Sequence, residues 1–334
     1  MIFAPKTVIA AANDENIAKA AKLLKQGTLV AFPTETVYGL GADAFNSAAL
    51  ARVFEVKNRP HFDPLIIHIA ALETLGALYD AARLKKGMEN MVLRLVNSIW
   101  PGPLTLILPK KSAVPDIATA GFNTVAVRFP RHKVAQALIK QAGGAVAAPS
   151  ANPFGRLSPT RADHVACYFG DKIELILDGG QCEVGIESTV LDLSGEAPCV
   201  LRQGGICCEE LRRITGGMLI EVNKKNRASA SPGNLPGHYA PLKPLFLFER
   251  GEAPECGEED AVLFFSRNEH PKHGKNCFFL SETGIDTEAA ACFFELFHKI
   301  DAGNWRRIYA EKASNTGLGA AINDRLKRAS FPRI

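Results

Sequence analysis

The sequence predicts an α/β (α+β) fold: a twisted mixed sheet with flanking helices, followed by a smaller second α/β domain. Apolar runs of strand length alternate with segments of helical spacing from Asn16 onward. Residues 221–241 then change abruptly to small, polar, proline and glycine residues, which is the composition of a linker. The alternation resumes after that segment over a shorter length. We therefore expect one domain over residues 1–220, a linker or lid over 221–241 and a small domain over 242–334.

The larger domain contains short apolar runs that are bounded by turn residues and predict strands. They are Leu29–Phe32, Leu65–Ile69, Leu104–Leu108, Thr124–Arg128, Gly144–Ala148, Leu175–Leu177, Ser188–Leu193 and Cys199–Arg202. Between them, segments with apolar residues every three or four positions predict helices. These are Ile17–Gln26, Ala48–Val56, Leu72–Tyr79, Met88–Ile99, Lys133–Ala142 and Arg161–Phe169.

The smaller domain repeats this organisation. Its strand candidates are Leu245–Phe248, Ala261–Phe265, Cys277–Leu280 and Arg307–Ala310. A helix over Thr287–Ala302 carries Phe293, Phe294 and Phe297 on one face, and a last helix spans Ala320–Arg328.

Composition indicates a soluble globular protein. The 334 residues are 47% hydrophobic and 22% charged, without an apolar run of membrane-spanning length. The first residues lack the pattern of a signal peptide, and the eight cysteines are scattered without CxxC pairs. We therefore expect a cytoplasmic protein with reduced thiols and no membrane partner.

The net charge of +4 is concentrated at one end. Residues 301–334 carry seven Lys and Arg against three Asp and Glu, so the remainder of the chain is neutral. This distribution argues against strong, salt-sensitive binding to nucleic acid, and leaves weak contact of the basic tail with RNA as an alternative.

The segment TLVAFPTETVYGLG at 28–41, followed by KNRP at 57–60, predicts an anion-binding turn. Pro33 ends an apolar strand, Thr34 and Thr36 can present their hydroxyls to a ligand, and the glycines allow close backbone approach. Lys57 and Arg59 place two cations on one short loop, which suits a polyphosphate or a carboxylate. A solvated helix end explains the same basic loop equally well.

Further polar residues occur where predicted strands end. Ser150 and Asn152 follow one strand, in the position where α/β sheets commonly bind ligands. Ser158 precedes a helix, so it predicts an N-cap, a phosphate-binding helix end, or both. Arg128 and Arg202 each end a strand.

Other motifs are weak. The GLG triplets at 39–41 and 317–319 resemble the start of a dinucleotide fingerprint, but neither lies in a convincing βαβ unit. His270 and His273 have metal-ligand spacing in a turn-like segment, which favours a solvated loop. We therefore predict no protein-bound metal site.

Taken in order, the motifs resemble the YrdC-like domain and the long, two-domain form of the threonylcarbamoyladenylate synthases. They are PTETVYGLG, KNRP, PLIIHI, WPGPLTLIL, VAVRFP, PSAN, SPT, GIESTV, LRQGG, SPGNLPGHYAP and GLGAAINDRLKRAS. The resemblance covers nearly the whole chain. It implies a YrdC-like sheet and a Rossmann-like C-terminal domain.

The resemblance also implies an activity, in which L-threonine, bicarbonate and ATP form threonylcarbamoyl-AMP and pyrophosphate, with Mg²⁺ accompanying ATP. The product would pass to a separate tRNA threonylcarbamoyl transferase. The implied threonine pocket comprises Thr34, His68, Arg128, Ala148 and Ser188. The implied ATP contacts are Arg59, Asp63, Thr124, Ser150, Asn152, Ser158, Arg202 and His238. Lys57 and Arg59 would supply positive charge to the transition state, because the implied reaction brings several anions together.

Two other classes of protein remain alternatives. An RNA-binding module could use the concave surface of this fold, and a carbamoyltransferase accessory domain would act on carbamoyl phosphate. The linker that carries His238 and Tyr239 suggests a lid, because a carbamate needs protection from water.

Overall fold

The computed structural model describes residues 7–218, 220–221, 238–252, 254–270 and 274–331. Most of the predicted linker, including Asn234–Gly237, lies outside the described residues, as does His273. Of the predicted lid, the described residues include its last part, from His238 to Pro241. No helix within the described ranges is long and apolar enough to cross a membrane.

Eleven strands of the described residues form one mixed sheet in the first part of the chain. They are β1 (Val8–Ala11), β2 (Val30–Phe32), β3 (Gly39–Asp43), β4 (Ile66–Ile69), β5 (Leu104–Pro109), β6 (Thr124–Arg128), β7 (Ala145–Ala147), β8 (Leu175–Asp178), β9 (Thr189–Asp192), β10 (Cys199–Arg202) and β11 (Ile220–Glu221). Their order is β1-β8-β2-β3-β7-β4-β6-β5-β9-β10-β11. Parallel and antiparallel neighbours alternate irregularly, which confirms the predicted mixed sheet.

Helices pack against this sheet because each has a face of apolar residues. They are α1 (Asp14–Lys25), α2 (Ser47–Lys57), α3 (Leu72–Leu78), α4 (Met88–Ile99), α5 (Lys133–Gln141), α6 (Ala162–Phe169) and α7 (Cys208–Thr215). The main core contains fully buried side chains from helices and strands alike, such as Leu50, Leu95, Leu106 and Leu191.

The C-terminal part forms a four-stranded parallel sheet in the order β12-β15-β13-β14. Its elements are β12 (Leu245–Phe248), β13 (Ala261–Ser266), β14 (Cys277–Ser281), α8 (Asp286–Ala302), β15 (Ile308–Glu311) and α9 (Gly319–Ala329). The predicted aromatic face of α8 is confirmed, since Phe293, Phe294 and Phe297 are all buried there.

The structure corrects the prediction for Gly39–Gly41. These residues do not form a turn; they lie in β3, which pairs antiparallel to β2. A Cβ atom on Gly41 would lie 2.9 Å from the Phe32 ring, and one on Gly39 would lie 3.2 Å from Ala148 Cβ. The glycines therefore admit neighbouring side chains into the sheet. The sequence analysis also missed β1, β11 and α7.

The two parts of the chain share an extensive interface. One apolar cluster combines Val37, Leu157 and Ile186 with the buried aromatic residues of α8. Gly185 has φ +74°, and a Cβ atom there would lie 2.3 Å from the Ala290 carbonyl oxygen. Only glycine permits so close an approach of the two backbones. The interface lies beside the cavity described next.

Candidate active site

A cavity lined by polar and charged side chains opens between the ends of several strands. It is lined by Thr34, Thr36, Val37, Gly39, Arg59, Pro64, Ile66, His68, Arg128, Ala148, Pro149, Ser150, Glu187, Ser188, Arg202, His238 and Tyr239. Three of these residues are arginines, and their side chains are nearly fully buried. The cavity is therefore suited to anionic ligands.

The turn between β2 and β3 is held by a chain of hydrogen bonds. Arg128 Nη1 donates to Thr36 Oγ1 at 2.8 Å, and the hydroxyls of Thr36 and Thr34 are 2.8 Å apart. Thr34 Oγ1 donates to the Val37 carbonyl at 2.7 Å. Since this bond uses the Thr34 proton, Thr36 donates to Thr34. The two hydroxyls thus fix the turn against Arg128.

Glu35 lies behind this turn and forms a buried ion pair with Arg128, with Glu35 Oε1 2.8 Å from Arg128 Nη2. Burial alone would raise the pKa of Glu35, but the adjacent Arg128 guanidinium outweighs it and lowers the pKa below its usual value. Arg128 Nε has no hydrogen-bond partner among the described residues. The guanidinium is therefore held in place with a donor still available for a ligand.

Arg59 also lines the cavity and is held by the segment that follows it. Its Nε donates to the Asp63 carbonyl at 3.0 Å, and its Nη2 lies 2.8 Å from the Pro64 carbonyl and 2.9 Å from Asp63 Oδ2. Burial raises the pKa of Asp63, against the opposing effect of Arg59. The Asp63 carboxylate therefore faces Arg59 and does not line the cavity.

Lys57 is the last residue of α2, and its side chain is buried behind the cavity. Its ammonium group donates to the Ser150 carbonyl at 2.6 Å and to the Asn152 carbonyl. Burial, with a smaller contribution from Arg59, holds its pKa well below the usual value. Lys57 thus fixes the loop that carries Ser150.

Arg202 and Ser188 form the third wall. Arg202 Nε and Nη2 donate to the Ser188 carbonyl at 3.1 and 2.9 Å, and Nη2 also donates to Ser188 Oγ at 3.1 Å. This pairing joins the end of β10 to the start of β9. Burial lowers the pKa of Arg202 below its usual value.

His68 is the third residue of β4 and pairs in register with Arg128 of β6. Its Nδ1 lies 3.2 Å from the Ile66 carbonyl. Burial, reinforced by the Arg128 charge, lowers its pKa to about 3. The imidazole is therefore neutral at physiological pH.

His238 and Tyr239 enter the cavity from the C-terminal side. Their rings are 4.2 Å apart, and Tyr239 also packs 5.6 Å from the Phe294 ring of α8. Tyr239 has φ +67°, an uncommon conformation for a residue other than glycine. In the described part of the chain, His238 Nδ1 and the Tyr239 hydroxyl are buried without hydrogen-bond partners. Such groups are costly unless a ligand satisfies them.

The structure brings most of the predicted site residues together. The cavity is lined by Thr34, Arg59, His68, Arg128, Ala148, Ser150, Ser188, Arg202 and His238. Five others do not line it, and four of these, Lys57, Asp63, Asn152 and Ser158, are buried behind its walls.

Thr124 lies at the opposite end of β6 from Arg128, where it pairs with Pro109. At about 3.4 Å per residue, four residues separate the two by roughly 13 Å. The structure therefore does not bring Thr124 to the cavity. Its predicted contact with ATP has no support from this geometry.

Thr36, Glu187 and Tyr239 also line the cavity with polar groups. The sequence predicted Thr36 only as a hydroxyl of the anion-binding turn and Tyr239 only as part of the lid, and it gave Glu187 no role. All three lie inside segments that were recognised as motifs. No residue pattern distinguished them from their neighbours, because both threonines of PTET and both polar residues of the segment 187–188 have the same local spacing.

The GLG triplet at 317–319 lies at the start of α9, and His270 lies near Glu269 and Glu311. Glu311 accepts from the Gly251 and Phe265 amides, while Glu269 pairs with Arg250. Both carboxylates are therefore already engaged within the protein.

The fold and the cavity together define a class of protein: an α/β protein whose cavity, lined by three buried arginines, is suited to small anionic ligands. Residues 22–204 match a family model described as "Telomere recombination", the Sua5/YciO/YrdC family. Residues 206–330 match "Threonylcarbamoyl-AMP synthase, C-terminal domain".

Relatives of known sequence agree over nearly full length. The chain is 40% identical over 327 residues to the threonylcarbamoyl-AMP synthase of Pyrococcus abyssi, covering 94% of each chain. It is 38% identical over 337 residues to that of Bacillus subtilis, covering 96% of this chain and 95% of the relative. The chain belongs to the threonylcarbamoyl-AMP synthase family, in its long two-domain form.

A solved structure has the same architecture. The crystal structure of Pyrococcus abyssi Sua5 complexed with L-threonine matches with a TM-score of 0.85 and 38% identity, covering 97% of each chain. These comparisons confirm the family that the sequence motifs resemble and the predicted mixed α/β fold with a smaller second domain.

Proposed function

We propose that the cavity is the site at which this threonylcarbamoyl-AMP synthase condenses L-threonine, bicarbonate and ATP to threonylcarbamoyl-AMP and pyrophosphate. The observation that carries the proposal is the convergence of Arg59, Arg128 and Arg202 on one buried cavity. Three guanidinium groups match three anionic parts: the threonine carboxylate, the carbamate and the ATP phosphates. The enzyme then acts as a nucleotidyltransferase.

The chemistry needs alignment more than a protein nucleophile. The threonine amine and bicarbonate give a carbamate and water. A carbamate oxygen attacks the α-phosphorus, the new O–P bond forms, and the bond to the β-phosphate oxygen breaks to release pyrophosphate. Bringing these anions together costs electrostatic repulsion, which the buried arginines offset in a low-dielectric site.

Arg128 is suited to the threonine carboxylate. Its guanidinium is fixed by Glu35 and Thr36, and its Nε has no partner among the described residues. Neutral His68 lies in register beside it and adds no further positive charge. The hydroxyl of Thr34 is used within the turn, so this residue contributes shape to the pocket.

Arg59 and Arg202 are suited to the phosphates. Arg59 is fixed by Asp63, and Arg202 is fixed by the Ser188 carbonyl. Ser150 lines the same cavity on a loop that Lys57 holds. His238 and Tyr239 supply unsatisfied polar atoms on the remaining side. Lys57 and Asn152 then act by positioning this wall.

Mg²⁺ enters this scheme with ATP. The carboxylates of Glu35, Asp63 and Glu187, which lie in or behind the cavity wall, are already paired with Arg128, Arg59 and Arg325. The residues present therefore fit a metal that is held mainly by the substrate phosphates, where it would neutralise charge on the pyrophosphate.

One assay tests the proposal: purified protein with ATP, bicarbonate, Mg²⁺ and a panel of amino acids, with pyrophosphate release measured. Release that depends on threonine is expected. Release without amino acid preference would contradict the proposed substrate, and no release at all would favour the RNA-binding alternative. Arg202→Met should abolish most of the release, whereas Arg213→Met, at an exposed position on α7, should not.

The product would serve a separate tRNA threonylcarbamoyl transferase. We place no tRNA site on this chain beyond a weak contact of the basic C-terminal segment. That contact should disappear at moderate salt, because few phosphates would be neutralised.

A further inference from the structure

Glu187 is the acidic residue among those lining the cavity, and both of its oxygens are engaged. Oε1 accepts from Ser158 Oγ at 2.5 Å, and Oε2 accepts from Arg325 Nε at 3.0 Å. Ser158 belongs to the first part of the chain, whereas Arg325 belongs to α9 of the C-terminal part. The interface between the two parts therefore reaches the wall of the cavity.

Arg325 is fully buried, with no exposed surface. Its Nη1 donates to the Gln203 carbonyl and to the Ala321 carbonyl, the latter at 3.1 Å. Its guanidinium carbon also lies 5.6 Å from the centre of the Tyr239 ring, within cation–π range. One side chain of the C-terminal part thus contacts the Glu187 carboxylate, the segment after β10 and the residue next to His238.

The backbone around Glu187 is packed to hold this arrangement. The Gly205 amide donates to the Glu187 carbonyl at 3.0 Å, and a Cβ atom on Gly204 would lie 2.2 Å from that oxygen. The Glu187 backbone therefore has little freedom to move away from the cavity if the side chain loses its partner.

An unpaired carboxylate at this position would oppose the function proposed above. Threonine, carbamate and ATP are all anionic, and a buried negative charge beside them would raise the cost of binding. The same carboxylate is harmless while Arg325 balances its charge.

We propose that Arg325 is a positioning residue for the synthase site: it neutralises Glu187 and braces Tyr239, so that the C-terminal domain completes the substrate cavity. This inference rests on the proposed function. It assigns the C-terminal domain a direct part in substrate binding, through electrostatics at the cavity wall.

Steady-state kinetics of four variants of the full chain test the inference: Arg325→Met, Glu187→Gln, the double variant, and Lys327→Met as a matched control. Lys327 is an exposed residue of the same helix. Arg325→Met should raise the KM for ATP at least tenfold, with a smaller change in kcat, because it exposes the substrates to the Glu187 charge. The control should stay within twofold of the parent chain.

The double variant is the decisive comparison. It removes the repelling charge together with its partner, so its KM for ATP should return to within about threefold of the parent value. If Arg325 only stabilised the fold, the double variant should have a KM for ATP at least as high as that of Arg325→Met. That outcome would overturn the inference.

Two measurements keep the test interpretable. Thermal unfolding of each variant shows whether it folds. If Arg325→Met does not fold, Arg325→Lys, which keeps the charge, and Arg325→Gln, which removes it, are compared instead. The KM for ATP should then rise less than fivefold in Arg325→Lys and more than fivefold in Arg325→Gln. Threonine-dependent pyrophosphate release by the parent chain tests the proposed function separately. An active parent with unchanged KM in the Arg325 variants contradicts this inference alone.

Discussion

Glu35 and Arg128 form an ion pair with 2.8 Å between Oε1 and Nη2, and both side chains are almost completely buried. Arg128 lines the cavity, whereas Glu35 lies behind it. The pair therefore connects the stability of the turn between β2 and β3 to the placement of a guanidinium that lines the cavity.

Removing Glu35 should destabilise the protein strongly. Glu35→Ala leaves a buried arginine charge uncompensated, for which we expect a loss of about 3–5 kcal/mol in the free energy of unfolding. Glu35→Gln retains a hydrogen-bond acceptor and should lose less. Chemical denaturation followed by circular dichroism measures both. Equal stability of Glu35→Ala and the parent chain would show that the pair does not hold the turn.

Arg128→Lys should weaken threonine binding. Lysine keeps the positive charge but cannot contact Glu35, Thr36 and a carboxylate with one planar group. Loss of a charge-assisted hydrogen bond is worth about 1.5–3 kcal/mol, so we expect the KM for threonine to rise by roughly 10- to 150-fold.

The KM for ATP should change much less in the same variant. Arg131→Lys provides the control, because Arg131 is an exposed residue near the same strand end that pairs with Glu183. A larger change in the KM for ATP than in the KM for threonine would contradict the proposal that Arg128 binds the threonine carboxylate.

Tyr239→Phe should separate stability from activity. The Tyr239 hydroxyl is buried without a partner in the described ranges, so its removal relieves a desolvation cost of about 1–3 kcal/mol in the ligand-free protein. We expect an unfolding temperature equal to or above that of the parent chain, together with a lower kcat/KM. A variant with full activity would indicate that no substrate contacts this hydroxyl.

The interface between the two parts of the chain should weaken in acid. The rings of His164 and His298 stack 3.8 Å apart, between α6 and α8. Burial lowers the pKa of His164 to about 3 and that of His298 to about 4. The unfolded chain therefore takes up protons as the pH falls below about 6.5, while the folded protein does not until much lower pH.

Stability should accordingly be greatest above pH 6.5 and decline towards pH 4, by roughly 1–2 kcal/mol per histidine at pH 5. His298→Gln should flatten this decline, since Gln can still donate to the Ser158 carbonyl that His298 contacts at 3.1 Å. His61→Asn, at an exposed position, is the control. Denaturant titrations at pH 7 and pH 5 measure the difference, and identical pH dependence in His298→Gln and the parent would exclude this origin.

Local sequence determined most of the elements. Met88–Ile99 is a helix with its predicted bounds, and Thr124–Arg128 and Leu245–Phe248 are strands with theirs. These segments have clear periodicity, which reflects one buried face. Gly39–Asp43 was missed because two glycines mimic a turn, whereas their small size in fact serves the Phe32 ring. Such a contact depends on a neighbouring strand and leaves no local pattern.

The ordered motifs likewise determined the family, and they placed arginines, serines and threonines at strand ends. Only the tertiary structure decided which groups face the ligand. It buried Lys57 and Asp63 behind the cavity, kept Thr124 at the far end of its strand, and joined Glu187 to Arg325. The physical reason is that burial, charge pairing and side-chain direction arise from residues far apart in the chain, whereas periodicity and turn chemistry arise from residues close together.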